Sequence, residues 1–380
     1  MKYCQRCVYP EVAVNLILDD EGVCSACRVF EEFETLTEDF WAERNKRFDE
    51  LIEQYRNKDQ SNYDCIIPVS GGKDSYFITY MIKVIYKLNP LLVTYHGNNY
   101  LPEGQENLNT MRKSFGVDHL VFGPSIQTLV KLNRLCFKRM GDMNWHAHCG
   151  IETYPIQAAV KLKIPLIVWG ETAWDVSGMH SPDDYVEFSA KSRLEHSMRG
   201  FDWYDMIDAE EGIEARDLLW ARYPSDDEIE AVGVRGIYIG NFFKWDPNWH
   251  APKMRDEYGF QMARQPFERT YRMFSNLDDM HENGIHDYLK YIKFGYGRAS
   301  DHASKDIRTG YMTREQGIEM VRRYDHVKPR RDLERWLQYV GMTEEEFDRI
   351  ADTFRDPRVW RKDETGNWVK DNIWEDASEG

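Results

Sequence analysis

No apolar run in this sequence approaches the roughly 20 residues that cross a bilayer as a helix, and Met1-Lys2-Tyr3-Cys4 lacks the apolar core of a signal peptide. Both absences exclude membrane insertion and read as a cytoplasmic chain, whose seven cysteines are then thiols or metal ligands rather than disulfides. Basic residues are scarce: 49 Lys and Arg stand against 65 Asp and Glu, a formal charge of −16. That deficit argues against binding nucleic acid over a broad surface and leaves room only for a local basic groove. No internal repeat or low-complexity tract is present, and no Walker G-x-x-x-x-G-K-[ST] loop. What is present is 380 residues, enough for two or three domains with a substantial core. Aromatics are abundant, with 12 Trp and 22 Tyr, a composition that suits cleft walls and interfaces.

The most informative stretch is Ser70-Gly71-Gly72-Lys73-Asp74-Ser75. It follows the apolar run Cys65–Val69 and precedes a helical pattern with Phe77, Ile78, Met81, Ile82 and Ile85 on one face. Strand, glycine turn and helix in that order predict a phosphate site at the helix N-terminus. Lys73 adds a point charge, Ser70 and Ser75 add hydroxyl donors, and Asp74 beside phosphates makes chemical sense chiefly as a Mg²⁺ ligand. The plainer alternative is a glycine-rich turn that holds nothing. The motif resembles the SGGxDS signature of the PP-loop ATP pyrophosphatases, which implies cleavage of ATP between its α and β phosphates.

Four further features organise the chain. Residues 1–30 carry Cys4-x₂-Cys7 and Cys24-x₂-Cys27, two knuckles at zinc-ribbon spacing, and predict a structural Zn²⁺ with no open coordination position. A rubredoxin-like iron site or a redox dithiol would use the same spacing. Residues 31–60 read as a connecting helix that packs the ribbon on the next domain. From residue 61 to about 250, apolar strands at 65–69, 91–95, 119–122, 165–169 and 236–240 alternate with amphipathic helices at about 103–115, 125–140 and 151–163. This pattern predicts an α/β fold: a doubly wound, mostly parallel five-stranded sheet whose ligand sits beyond the strand C-termini. Ser70–Ser75, the loop Tyr95-His96-Gly97-Asn98-Asn99, the loop 142–150 and Gly170-Glu171 then share one cleft, with Tyr95, Gly97, Gly170 and Glu171 as candidate nucleotide contacts. Residues 175–235 are acidic, aromatic and weakly periodic, and read as an insertion or lid.

The loop Asn144–Gly150 contains His146, His148 and Cys149. Its residues suit a metal site, a nucleophilic Cys149 beside a histidine base, or a cleft wall that contacts substrate through polar groups. Cys65 and Cys136 fall on a strand and a helix and read as buried thiols. Residues 251–355 read as a helical substrate region, with capping-box signatures starting helices near 314 and 344. Within it, Lys293-Phe294-Gly295-Tyr296-Gly297-Arg298 breaks a helix where Lys293 and Arg298 can reach anionic oxygens, unless it is an ordinary solvated loop. Residues 356–380 form a tail that either packs on a neighbour or frays.

The ribbon, Ser70–Ser75, the histidine–cysteine loop and the Lys293–Arg298 block together resemble the N-acetyl sugar amidotransferases of WbpG type, from bacterial surface-glycan pathways. The resemblance reaches to about residue 325. It implies a PP-loop, adenine nucleotide alpha-hydrolase-like domain that converts a sugar acetamido group to an acetamidino group through an O-adenylyl imidate, with ATP, Mg²⁺ and ammonia. The pathway implied is lipopolysaccharide O-antigen or nonulosonic acid biosynthesis, with a sugar or sugar nucleotide as substrate. Ammonia would come from a glutaminase similar to that of histidine biosynthesis, through a cyclase-like channelling subunit; no glutaminase signature lies in this sequence. Lys73, Asp74, Cys149, Lys293 and Arg298 are the candidate catalytic residues. The competing expectations are a PP-loop sulfurtransferase acting on tRNA and a non-catalytic nucleotide-binding scaffold; a homo-oligomer stays open.

Overall fold

The computed structural model describes residues 1–170, 180–274 and 281–376. Its centre is a parallel sheet of β1 (Cys65–Pro68), β2 (Pro90–Tyr95), β3 (Asp118–Phe122), β4 (Leu166–Trp169) and β5 (Arg235–Tyr238), in the order β3-β2-β1-β4-β5. The five strands are those expected, within a residue or two at their ends. β1 and β2 are buried on both faces, which is why their sequences run apolar instead of alternating. Cys65, Ile67 and Leu92 enter one core, while Ile66, Leu91 and Val93 enter the other.

The first core is closed by α2 (Glu38–Tyr55), α3 (Lys73–Thr79), α4 (Pro102–Phe115) and α8 (Pro247–Tyr258), through Phe48, Ile52, Tyr76, Phe77, Leu108, Met111 and Met254. The second is closed by α6 (Trp145–Leu162) and α7 (Asp226–Val232), through Ile156, Ala158, Ala159 and Ile229. The sheet is therefore doubly wound. The chain leaves β1 for β2 on one side and returns to β4 on the other, so the crevice beyond the C-terminal ends of β1 and β4 is the natural ligand position.

Three expectations are corrected. The connecting segment is two helices, α1 (Ser25–Glu34) and α2, because Thr37 caps a fresh start by accepting the Phe40 N–H. The segment 142–150 is mostly helical: α6 begins at Trp145, six residues before the expected start, and carries Pro155 in its interior. Proline there removes one helical hydrogen bond, so the sequence argues against the longer helix that packing enforces. The described part of the supposed lid, 180–235, packs inward: Met198, Met206, Ile213, Leu218 and Trp220 form one core with Tyr95 and with Leu132, Leu135 and Cys136 of α5 (Ile126–Met140). Burial makes it scaffold.

The C-terminal helices are α9 (Glu282–Phe294), α10 (Arg298–Arg308), α11 (Arg314–Tyr324), α12 (Arg330–Val340) and α13 (Glu344–Asp352). Thr313 and Thr343 are N-caps, as their capping signatures require. α9, α12 and α13 share a core with Phe137 and Met143, so this region is built onto the α/β unit. The tail packs through Val359, Trp360 and Ile373, and Asp371 takes the Met1 ammonium at 2.6 Å. No described helix is long and apolar enough to cross a membrane.

Candidate active site

Ser70–Ser75 lies where β1 ends and α3 begins. Gly71 has φ +92°, and a Cβ there would stand 3.0 Å from both the Gly104 carbonyl oxygen and the Leu108 nitrogen, so only glycine lets the loop pass under α4. Gly72 is the N-cap of α3. Its side chain is absent, and α3 presents its first N–H groups toward the crevice without a capping oxygen above them. The Ser75 hydroxyl accepts the Ser70 N–H at 3.0 Å and stands 3.3 Å from the Ser70 hydroxyl, which closes the turn on itself. Lys73 Nζ donates to Asp74 Oδ2 at 2.6 Å. Asp74 Oδ1 is buried without a hydrogen-bond partner. Burial alone would push this carboxyl up, but Lys73, His250 and Lys305 hold it below the usual range, so it stays an anion. An ionised carboxylate with one open oxygen fits a divalent cation, and the Lys73 ammonium and α3 N-terminus fit phosphate.

The sequence reading missed what faces this loop. His250 on α8 is 1% exposed, stacks on Phe77 with ring centroids 3.5 Å apart, and leaves Nδ1 without a partner. Burial pulls its pKa down to about 4, so it is neutral. Lys305 comes from α10, within electrostatic reach of Asp74 and His250. His302, one turn earlier, is buried and bonds Thr270 Oγ1 at 2.6 Å through Nδ1. Burial and the surrounding Arg272, Arg298, Lys73 and Lys290 hold it neutral. Each of these four cations also pairs with a carboxylate, Arg272 with Asp306, Arg298 with Asp287, Lys290 with Asp301 and Lys73 with Asp74, so the cluster is largely charge-compensated. His250 follows no motif, and the spacing from Arg298 to Lys305 signals only a helix face.

Tyr95 ends β2 with its ring buried against Gly150, where a Cβ would lie 2.3 Å from the ring, and its hydroxyl stands 3.2 Å from His146 Nδ1. Gly97 is buried in the following turn, whose Asn98 and Asn99 have φ of 66° and 59°. Gly170 ends β4; a Cβ there would meet Ile78 of α3 at 2.6 Å, so it permits close packing beside the loop. Glu171 lies outside the described residues. Cys149 sits in the first turns of α6, fully buried against Thr153 and the Ala221 carbonyl. Burial pushes its thiol up to about 12, which makes it a packing residue, not the nucleophile considered above.

The histidine–cysteine segment does meet the Lys293–Arg298 block. Asp142 is buried and takes Arg199 at 2.5 Å and His286 Nδ1 of α9 at 2.9 Å. The His286 ring lies 6.0 Å from His148. Lys293 faces this cluster, and burial pulls its ammonium down to about 8 against the pull of Asp142. Arg298 turns instead to the buried Asp287, 2.9 Å away, and Lys290 pairs with Asp301. Gly295, with φ +73°, ends α9, and Gly297 starts α10, as the helix break required. Much of the block's charge is thus internally paired.

Cys4, Cys7, Cys24 and Cys27 are all buried, with their Sγ atoms within 4.8 Å of one another. Cys7–Cys24 and Cys4–Cys27 are 3.6 and 4.0 Å apart, bracketing the ~3.8 Å edge of a tetrahedron with Zn–S bonds of ~2.3 Å. The backbone N–H groups of Arg6, Cys7 and Cys24 point at the Cys4 sulfur. The four thiolates fit a structural zinc. The ribbon docks on the C-terminal region: Tyr296 accepts the Val14 N–H at 3.0 Å, Tyr9 donates to Asp301 at 3.0 Å, and Arg314 donates to the Cys4 and Cys7 carbonyls at 3.1 Å.

Over 119 residues, 31% of the chain, the sequence is 27% identical to an uncharacterized protein of Methanocaldococcus jannaschii. The match covers 41% of that protein, so the chain spans about two fifths of the curated relative's length. Residues 268–373 match the family model described as "LPS biosynthesis protein WbpG-like, C-terminal domain". The helices that carry Lys293, Arg298 and Lys305 lie within this match and are therefore similar to the C-terminal domain of WbpG-like LPS biosynthesis proteins.

Proposed function

We propose that this chain is an AMP-forming, ATP-dependent amidotransferase that converts the acetamido group of a sugar or sugar nucleotide to an acetamidino group, in lipopolysaccharide or nonulosonic acid biosynthesis. The observation that carries the reading is a juxtaposition: Asp74 of the SGGxDS-like loop, paired with Lys73, lies within electrostatic reach of Lys305 on a helix of the WbpG-like region. An amide oxygen is a poor leaving group, so the acetamido oxygen attacks the α-phosphorus of ATP and pyrophosphate departs. Ammonia adds to the imidate carbon, loses a proton, and AMP leaves with the former amide oxygen. The α3 N-terminus, Ser70, Ser75, Lys73 and Lys305 stabilise the departing pyrophosphate, and the open Asp74 oxygen would hold Mg²⁺, whose charge lowers the cost of that departure. Positioning supplies much of the remaining acceleration. Ammonia comes from a glutaminase partner through a cyclase-like subunit. The buried Cys149 disfavours persulfide chemistry on tRNA.

The test is one assay with ATP, Mg²⁺, ammonium and a panel of diacetamido sugars and sugar nucleotides. Sugar-dependent AMP and pyrophosphate, with a product about one mass unit lighter from replacing O by NH, is the expected result. ADP as product, or ATP binding without turnover on any panel member, defeats the reading.

A further inference from the structure

Beyond the groove around Ser70–Ser75, a second set of polar groups gathers where the β2 loop meets the first turns of α6 and α9. Asn99 Nδ2 donates to Glu282 Oε1 at 2.5 Å, and the Asn99 carbonyl accepts the His281 N–H at 3.0 Å. Asn144 Nδ2 donates to Asn283 Oδ1 at 2.9 Å. Each of Asn144, His146 and Glu282 is at most 3% exposed, and each spends one polar atom on this framework. The other atom of each, Asn144 Oδ1, His146 Nε2 and Glu282 Oε2, is buried without a hydrogen-bond partner. Native proteins pair some nine in ten such atoms, and an unpaired one costs about 1–3 kcal/mol. Three around one junction call for a partner from outside the chain.

The chemistry of the three atoms narrows that partner. His146 Nδ1 is the one hydrogen-bond partner of the Tyr95 hydroxyl among the described residues, so the phenol proton goes to Nδ1 and the imidazole proton is assigned to Nε2. The junction then offers one donor, His146 Nε2–H, one acceptor, Asn144 Oδ1, and Glu282 Oε2, which accepts when the carboxyl is ionised and donates when it is protonated. An acetamido group presents one carbonyl acceptor and one N–H donor, and a neighbouring sugar hydroxyl presents a second donor. Phosphate is excluded on the same grounds: it presents acceptors only, and the cations that would neutralise it stand instead around Ser70–Ser75 and His302. Burial holds His146 neutral at about 3 and pushes Glu282 up to about 7, consistent with an uncharged ligand. β2 and β1 are adjacent parallel strands, so the loop after β2, which carries Asn99, and the Ser70–Ser75 loop lie at the same end of the sheet.

We infer that this junction seats the acetamido sugar, with His146 donating to the acetamido carbonyl, Asn144 accepting its N–H, and Glu282 hydrogen-bonding a ring hydroxyl. The inference rests on the function proposed above and assigns its substrate subsite. His146→Gln and Glu282→Gln, made in the full chain, test it with the panel member that supports turnover, by steady-state kinetics in sugar and in ATP. The expected result is a rise of about tenfold or more in KM for the sugar, the loss of one buried hydrogen bond, with KM for ATP within about twofold of the parent. Sugar KM unchanged in both variants overturns the subsite and leaves the amidotransferase reading standing. Sugar and ATP KM rising together also overturns it, since that marks a structural role. A parent protein that turns over no panel member defeats both. Glu282→Gln is nearly isosteric and carries the test alone if His146→Gln does not fold.

Discussion

At the scale of single residues, the loop Ser70–Ser75 concentrates an unusual charge arrangement. A lysine and an aspartate adjacent in sequence pair at 2.6 Å, which leaves the second aspartate oxygen buried and open. Removing that charge while keeping its shape separates chemistry from folding. Asp74→Asn is expected to lower sugar-dependent pyrophosphate release by on the order of 100-fold or more. Its melting temperature should stay near the parent's, since the open oxygen bonds nothing within the described residues. Pyrophosphate release at parental rates would remove Asp74 from the reaction. The loop itself is legible in the sequence because its shape depends on local backbone: Gly71 needs positive φ, and Gly72 stands at the start of α3. His250 and Lys305 are not legible, because nothing local about them matters. His250 acquires its place by stacking on Phe77, some 170 positions earlier in the chain.

At the scale of elements, the ribbon illustrates how a readable module acquires an unreadable partner. The two Cys-x-x-Cys knuckles and their spacing specify a four-sulfur cluster from sequence alone, and the structure assembles it. Where the ribbon docks depends on Tyr296, Asp301 and Arg314, nearly 300 residues away, and not on the connecting helix. Because Tyr296 lies between Lys293 and Arg298, metal loss is expected to loosen this block. Purified protein should carry one zinc per chain by mass spectrometry. Stripping it, or the Cys4→Ser change, should lower the melting temperature and increase deuterium uptake across residues 294–308. An unchanged melt and uptake in zinc-free protein would make the ribbon dispensable. α6 shows the opposite case. Polar residues mark 142–150 as loop, yet the turn Asp142–Asn144 starts the helix early, and burial against Tyr95 and Trp220 holds it.

At the scale of the whole molecule, four histidines on three elements, His146 and His250 buried and His119 and His148 half-buried, are held as neutral rings. Burial pulls His119, His148 and His250 to about 4 and His146 to about 3. An unfolded histidine titrates near ~6.5, so between roughly pH 6.5 and 4 the unfolded chain binds more protons than the folded one. Stability is thus fully present above about pH 6.5 and is lost as the pH falls toward 4. The urea midpoint is expected to drop between pH 7 and 5, and His119→Gln, which keeps a partner for Thr94 Oγ1, should flatten that drop. A pH-independent midpoint over this range would contradict the burial of these rings.

Sequence by itself determined the parts whose physics is local or periodic. Apolar runs bounded by turns specified five strands, Ser70–Ser75 specified a glycine turn from strand into helix, four cysteines specified a four-sulfur cluster, and Thr313 and Thr343 specified helix starts. Only the tertiary structure decided which of these meet. It set the strand order that opens the crevice between β1 and β4, brought Lys305 and His250 within electrostatic reach of Asp74, buried Cys149, and joined Asn144 to Asn283, the neighbour of Glu282. Those outcomes depend on long-range packing, where each residue's role is fixed by neighbours that no local pattern names.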